Sequence, residues 1–183
     1  MPARRGDKSK TAAGRKPSTS ALSVRRAGRS NDFELVHPRA AVERAADIEE
    51  VEHMLDAGEV ELAKDELRWL LDDCRELLDA HRLLGELALL EADTKLARAH
   101  FGYAYKLGID ALPGSLGGEL PYRLGPNQGF FQAGKGLAAC LVELGESAMA
   151  RDVLQRLVAL DPTDPLALAD ILSQLPPRVS PGA

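Results

Sequence analysis

Aromatic side chains are scarce in this 183-residue chain: four Phe, three Tyr and one Trp make up 4%, against 45% hydrophobic residues overall. A core must therefore come from Leu, Ala and Val. Straight-chain residues and Ala lose little freedom in a helix, so this balance favours helices over strands. Cysteine is nearly absent. Cys74 and Cys140 lie far apart and form no CxxC pair, which excludes a disulfide-dense scaffold and a CxxC zinc or redox site. They read as ordinary buried thiols of a protein kept in a reducing cytosol. No apolar run approaches the roughly 20 residues that cross a bilayer. The first twenty residues lack the apolar stretch of a secretory signal. The expectation is a cytoplasmic location with no membrane insertion.

Charge is divided unevenly. Nine of the 23 basic residues (Arg4, Arg5, Lys8, Lys10, Arg15, Lys16, Arg25, Arg26 and Arg29) fall in residues 1–30, against one of the 28 acids, Asp7. The remainder keeps 14 basic and 27 acidic residues, so a tail near +8 precedes a body near −13. Residues 1–30 have almost nothing apolar to bury and are expected to be a disordered basic tail. It reads either as a solvated tail that partners the acidic body loosely, or as a contact for nucleic acid or an anionic surface. It has no aromatic residue on which bases could stack.

Phe33, Leu35 and Val36 form a short extended piece expected to pack as an arm on the first helix, and Pro38 suits a first helical turn. His37 reads as a boundary residue. Val42, Ala45, Ile48, Val51 and Leu55 then recur at helical spacing until Gly58. Further helices are expected at about 60–74 (with Leu62, Ala63, Leu67, Leu70 and Leu71 on one side), 78–91 and 94–107. They are pairs joined by short turns.

Self-comparison reveals a repeat. GEVELAKDELRWLL (58–71) aligns with ADTKLARAHFGYAY (92–105), 34 residues later, and with GESAMARDVLQRLV (145–158) a further 53 residues on. Ala63, Ala97 and Ala150 coincide, as do Leu67, Phe101 and Leu154. Leu84–Gly85 and Leu137–Ala138 supply the small pair of a first helix, Gly58 and Gly145 (with Ala92) the turn, and Pro162 the close. On these residues the chain resembles a tetratricopeptide repeat (TPR) protein. From FELVHPR through the first two repeats it also resembles bacterial TPR-like proteins without an assigned activity. The fold class expected is all-α. It comprises a TPR-like α-solenoid (31–175) of three helix pairs (44–77, 78–111 and 131–164), with an insertion at 112–130. A capping helix at 164–175 has Ala167, Leu168, Ile171, Leu172 and Leu175 on its buried arc. Residues 176–183 are expected to be disordered.

GFFQAGKG (129–136) is one residue short of a phosphate-binding P-loop. No β-branched strand leads into it, Phe130 and Phe131 occupy the turn, and Gly136 stands where a metal-binding hydroxyl belongs. It is better read as helix, with Gly134 and Ala138 allowing a neighbour to approach. His53, His81 and His100 lie on separate helices without an i, i+4 pair, and the carboxylate runs read as solvated faces. No nucleophile stands with a base, so no enzymatic activity, cofactor or metal is expected.

Binding is the remaining function. The TPR resemblance implies a concave face lined by each first helix. That gives Ile48, Glu52 and Leu55, then Arg82, Glu86 and Leu89, then Lys135, Ala139 and Val142. Arg82 and Lys135 are expected to share one groove and to receive an acidic group beside a hydrophobic residue. Tyr122 and Arg123 of the insertion could cover it. The partner expected is a protein or peptide; the alternative is a nucleic-acid- or anionic-surface-associated adaptor acting through residues 1–30.

Overall fold

Where apolar residues recur every three or four positions, the chain is helix. The computed structural model describes residues 21–28 and 30–177, and its main elements are eight helices. They are α1 (Arg39–Glu43), α2 (Ala45–Asp56), α3 (Val60–Asp73), α4 (Leu78–Leu90), α5 (Thr94–Ala111), α6 (Gly125–Glu143), α7 (Ser147–Leu160) and α8 (Leu168–Gln174). The chain is predominantly helical. Pairs α2–α3, α4–α5 and α6–α7 pack as hairpins, α3–α4, α5–α6 and α7–α8 join them in order, and α4 also packs on α6.

The three hairpin turns are built alike. Gly58, Ala92 and Gly145 each adopt a left-handed φ, of 80°, 59° and 78°. In each turn that residue's N–H bonds to a carbonyl three positions back, and the next N–H to one five back. The pairs are Glu59 to Met54, Asp93 to Ala88, and Glu146 to Leu141. This is the Schellman closure, which satisfies carbonyls that a helix end leaves open. The aligned alanines Ala63, Ala97 and Ala150 are all 0% exposed, and Leu67, Phe101 and Leu154 are buried beside them. One core cluster joins α2, α3 and α4 through Val51, Leu67, Leu70 and Leu83. A larger one joins α4 to α8 around Phe101, Phe130 and Phe131.

GFFQAGKG lies wholly inside α6. A Cβ at Gly129 would strike Asp79 and Leu78 of α4; at Gly134 it would come within 2.7 Å of Leu157 on α7; at Gly136, within 2.6 Å of Phe101 on α5. The glycines let three different neighbours close on one helix.

Several expectations give way. An antiparallel hairpin is present, β1 (Ser23–Arg26) with β2 (Phe33–Val36), pairing Ser23 with Val36 and Val24 with Leu35. Residues 23–26 are therefore strand rather than part of a disordered tail. The same expectation for residues 1–20, Arg29 and 178–183 falls outside the described residues. The arm at 33–36 packs mainly on α6 rather than on the first helix. The reason is Asn127, fully buried, whose Oδ1 accepts from Leu35 N–H (2.8 Å) while its Nδ2 donates to the carbonyls of Phe33 and Pro121.

The insertion is shorter than its expected span of 112–130. Helix α5 runs on to Ala111 and α6 already starts at Gly125. Residues 112–124 are tied down: Leu120 N–H donates to Leu160 O, Tyr122 N–H to Asp161 Oδ2, and Glu119 O accepts from Phe33 N–H. The first helix breaks at Arg44 into α1 and α2. Leu62, expected on the packed side of α3, is 54% exposed. The last helix starts at Leu168, where Asp164 accepts from the N–H groups of Leu168 and Ala169. Leu168 and Leu175 are buried, but Ala167 is exposed.

The turns yield a test of opposite signs. Ala92 holds a left-handed backbone that costs a β-carbon roughly 1–2 kcal/mol. Ala92→Gly is expected to stabilise the chain by about 0.5–1 kcal/mol and Gly145→Ala to destabilise it by about 1 kcal/mol, read from urea melts of each variant.

Candidate functional site

The face shared by α2, α4 and α6 carries an open cavity of about 450 Å3. Ile48, Glu49 and Glu52 come from α2, Asp79 and Arg82 from α4, and Gly125, Pro126, Gln128, Gly129 and Gln132 from the first two turns of α6. His37, Ala41 and Val42 close one side. His37 is held there by its Nε2, which donates to the carbonyl of Pro126 at 2.9 Å. Close approach at Gly129 brings the α6 start against Asp79, so the cavity depends on the absence of a side chain at that position.

Arg82 is the cavity's electrostatic centre. It is buried, 9% exposed, and its guanidinium reaches Glu52 (2.8 Å), Glu86 (2.9 Å) and Asp79 (3.4 Å). Burial would lower its pKa, yet the charges of Glu86 and Asp79 and the bonds to Glu86 and Glu52 outweigh it. The group is held above its ordinary value. Three carboxylates thus converge on one cation, and Glu49 beside them has no ion-pair or hydrogen-bond partner among the described residues. The cavity wall carries an excess of negative charge.

This arrangement changes the ligand chemistry. Three of Arg82's five N–H donors are engaged within the fold, and three carboxylates already balance its charge, so it is not a free receptor for an acidic group. Lys135 does not line the cavity; its Nζ donates to the carbonyl of Leu166, before α8, at 3.3 Å. The two cations expected to act together are apart.

Of the other expected residues, Ile48 and Glu52 line the cavity, while Leu55, Glu86, Leu89, Ala139 and Val142 lie outside its walls. Leu55 packs on the α2–α4 core and Leu89 on the larger one. Ala139 and Val142 are exposed. Tyr122 is half-buried, edge-on to Phe131, its hydroxyl accepting from Gln132 Nε2. Arg123 pairs with Asp32. Neither covers the groove. Sequence reasoning missed Glu49, Asp79, Gln128 and Gln132. The signal for Asp79 was available, one turn before Arg82 on the same helix. Gln128 was hidden because residues 112–130 were expected to be an insertion, whereas α6 already starts at Gly125.

A second polar cluster joins two residues expected to stand apart. His81 of α4 and His100 of α5 face each other, Nδ1 to Nδ1, at 3.1 Å, and the His81 ring packs 4.5 Å from that of Tyr103. His81 Nε2 contacts the carbonyl of Arg75 at 3.2 Å. A carbonyl only accepts, so His81 carries its proton on Nε2, and its Nδ1 accepts from His100. No third His, Cys, Asp or Glu joins the pair as a metal ligand among the described residues. Cys74 and Cys140 are free and buried, and burial raises both thiols.

The chain matches no family model and no curated protein. Among the described residues, no helix is long and apolar enough to cross a membrane.

Two outcomes are expected. Arg82→Ala leaves three carboxylates facing one another, and each half remains partly wet, so the loss is about 2 kcal/mol rather than that of a fully buried pair. In thermal melts that loss shrinks as added salt screens the repulsion. For the histidines, burial lowers His81 to about 4 and lowers His100 in the same direction. Between about 6.5 and about 4 the unfolded chain binds protons that the folded chain refuses, so stability falls as pH falls through that window. His81→Gln is expected to flatten this part of the Tm–pH curve between pH 7 and 5; an unchanged curve would assign the slope to other groups.

Proposed function

We propose that this chain is a non-enzymatic, cytoplasmic scaffold that binds a protein or peptide segment on the face formed by α2, α4 and α6. In this reading the three hairpins are TPR-like repeats stacked as a short α-solenoid, α8 is its cap, and the first helix of each pair lines the concave side. The observation that carries it is the 450 Å3 cavity to which all three first helices contribute. Its size lies within the roughly 300–1,000 Å3 typical of ligand sites. The equivalent Schellman turns at Gly58, Ala92 and Gly145 support the repeat reading.

The charge on the cavity wall sets the sign of the ligand. With Arg82 committed to Glu52, Asp79 and Glu86, and Gln132 Nε2 to the Tyr122 hydroxyl, the groups left to meet a ligand are carboxylates, the Gln128 amide and the Gln132 carbonyl oxygen. Ile48 and Val42 supply the apolar part. A segment that places Lys or Arg next to an apolar residue fits this wall; an acidic segment is repelled.

The test is a peptide array probed with the full-length chain, followed by titration of the best binders. Bound peptides are expected to be enriched in Lys or Arg beside an apolar residue. Gln132→Glu is expected to change affinity, whereas Val142→Lys, outside the cavity, is not. Binding unchanged by Gln132→Glu, or changed as much by Val142→Lys, would remove the cavity from the function. If the chain instead bound nucleic acid with a steep salt dependence and no peptide, the adaptor alternative through residues 1–30 would stand.

A further inference from the structure

One position of the repeat is apolar and exposed on every second helix. Leu62 of α3, Leu96 of α5 and Met149 of α7 coincide in the alignment, and none of the three is buried. Two turns further on, Trp69 and Tyr103 coincide and are exposed as well. Arg156 breaks that second series on α7, so the paired pattern belongs to α3 and α5. These two helices flank a groove of about 340 Å3 floored by Leu84, Leu87 and Ala88 of α4. Charge around the apolar pairs changes sign between the helices. Glu61 and Asp72 flank Leu62 and Trp69 on α3, whereas Lys95 and Lys106 hold the equivalent places beside Leu96 and Tyr103 on α5, and all four are exposed. At about 100° per residue, each set of four falls within one arc of about 100°. An acidic apolar strip thus lies across the groove from a basic one.

We propose that this face is the interface of a symmetric dimer, in which α3 of each copy lies along α5 of the other. Charge selects both the occupant and the pairing. With unlike helices matched in direction, Leu62 meets Leu96, Trp69 meets Tyr103, and Glu61 and Asp72 meet Lys95 and Lys106. With α3 laid on α3, Glu61 would face Asp72, acid against acid, which is repulsive. The same patch serves both copies, as a two-fold axis requires. Asp72 and Lys95 have no hydrogen-bond or ion-pair partner among the described residues. Glu61 and Lys106 hold partners within their own helices, Lys64 and Asp110. Exposed pairs of that kind contribute little and exchange partners at small cost. Both aromatic rings are fixed in advance: the Arg44 guanidinium lies 5.0 Å over the Trp69 ring, and His81 packs 4.5 Å from Tyr103. Rings already held lose little freedom on contact, and Trp and Tyr are the side chains that anchor interfaces. Helix α3 is only about 21 Å long, so the patch is small and a Kd on the order of 10 μM is expected. No wall residue of the α2–α4–α6 cavity belongs to α3 or α5. A dimer formed this way keeps two cavities open, and its existence is independent of what they bind.

Trp69 is the only tryptophan in the chain, so its emission reads this face directly. Sedimentation equilibrium and tryptophan emission of the full chain are followed from about 1 μM to about 500 μM, a range that brackets a weak interface. A monomer–dimer equilibrium is expected, with the emission moving to shorter wavelength over the same concentrations as the indole leaves water. Lys106→Glu is expected to weaken the dimer about tenfold, and Asp72→Lys added to it to restore most of the loss, because the two changes only exchange the signs across the interface. Leu62→Ser is expected to abolish the dimer while leaving the helical circular dichroism intact; should that variant misfold, the charge exchange decides alone. A chain that stays monomeric at the highest concentration overturns the proposal, whatever else may bind this face. So does a dimer whose Trp69 emission does not move, since it would use another surface. A dimer indifferent to Lys106→Glu, or one that Asp72→Lys fails to rescue, overturns the pairing of α3 with α5.

Discussion

The ring of Phe101 sits between two glycines. A β-carbon at Gly85 of α4 would lie 2.8 Å from it, and one at Gly136 of α6 would lie 2.6 Å away. Helix α5, which carries the ring, is thereby gripped from both sides at a distance that side chains would forbid. Each glycine weakens its own helix by about 1 kcal/mol relative to Ala. What is gained is a buried aromatic ring in a chain that has few. With α4 and α6 drawn together around α5, their N-terminal turns meet at Asp79 and Gly129, and the cavity opens beside that meeting point. The site is a consequence of this packing.

Charge follows the same geometry. A lone buried guanidinium would be costly, and Arg82 is tolerated because carboxylates from α2 and from its own helix surround it. The ion cluster ties α2 to α4 where the smaller core ends, and it turns a basic residue into part of an acidic wall. Lys64 repeats the pattern on α3, buried with Glu61 and Glu91 as partners. In both places a cation that looks available along the chain is consumed by neighbours that only folding supplies.

Local chemistry was legible. Ala63, Ala97 and Ala150 were identified by alignment alone and are fully buried, because a small residue at a fixed helical position marks where a partner helix must come close. The turn at Ala92 was legible from its alignment with Gly58 and Gly145, and the structure adds that all three are left-handed. The hairpin was not. SVRR has no apolar alternation to announce a strand, and FELV is held extended by Asn127, more than ninety residues away, and by Glu119. The His81–His100 contact escaped notice because the partners sit on successive helices whose rotation about their axes no single-helix pattern reports.

The sequence by itself determined the helical class, the three equivalent turns, the helical nature of GFFQAGKG and the concentration of basic residues in the first thirty positions ahead of an acidic remainder. Each of these is written in composition or in spacings of a few residues, where neighbours along the chain are neighbours in space. Tertiary structure alone decided where β2 docks, how early α6 begins, which residues wall the cavity and what charge that wall carries. A side chain's availability depends on what surrounds it in three dimensions. Arg82 is a positive charge in the sequence and a neutralised one in the fold, because Glu52 reaches it only after α2 and α4 have packed.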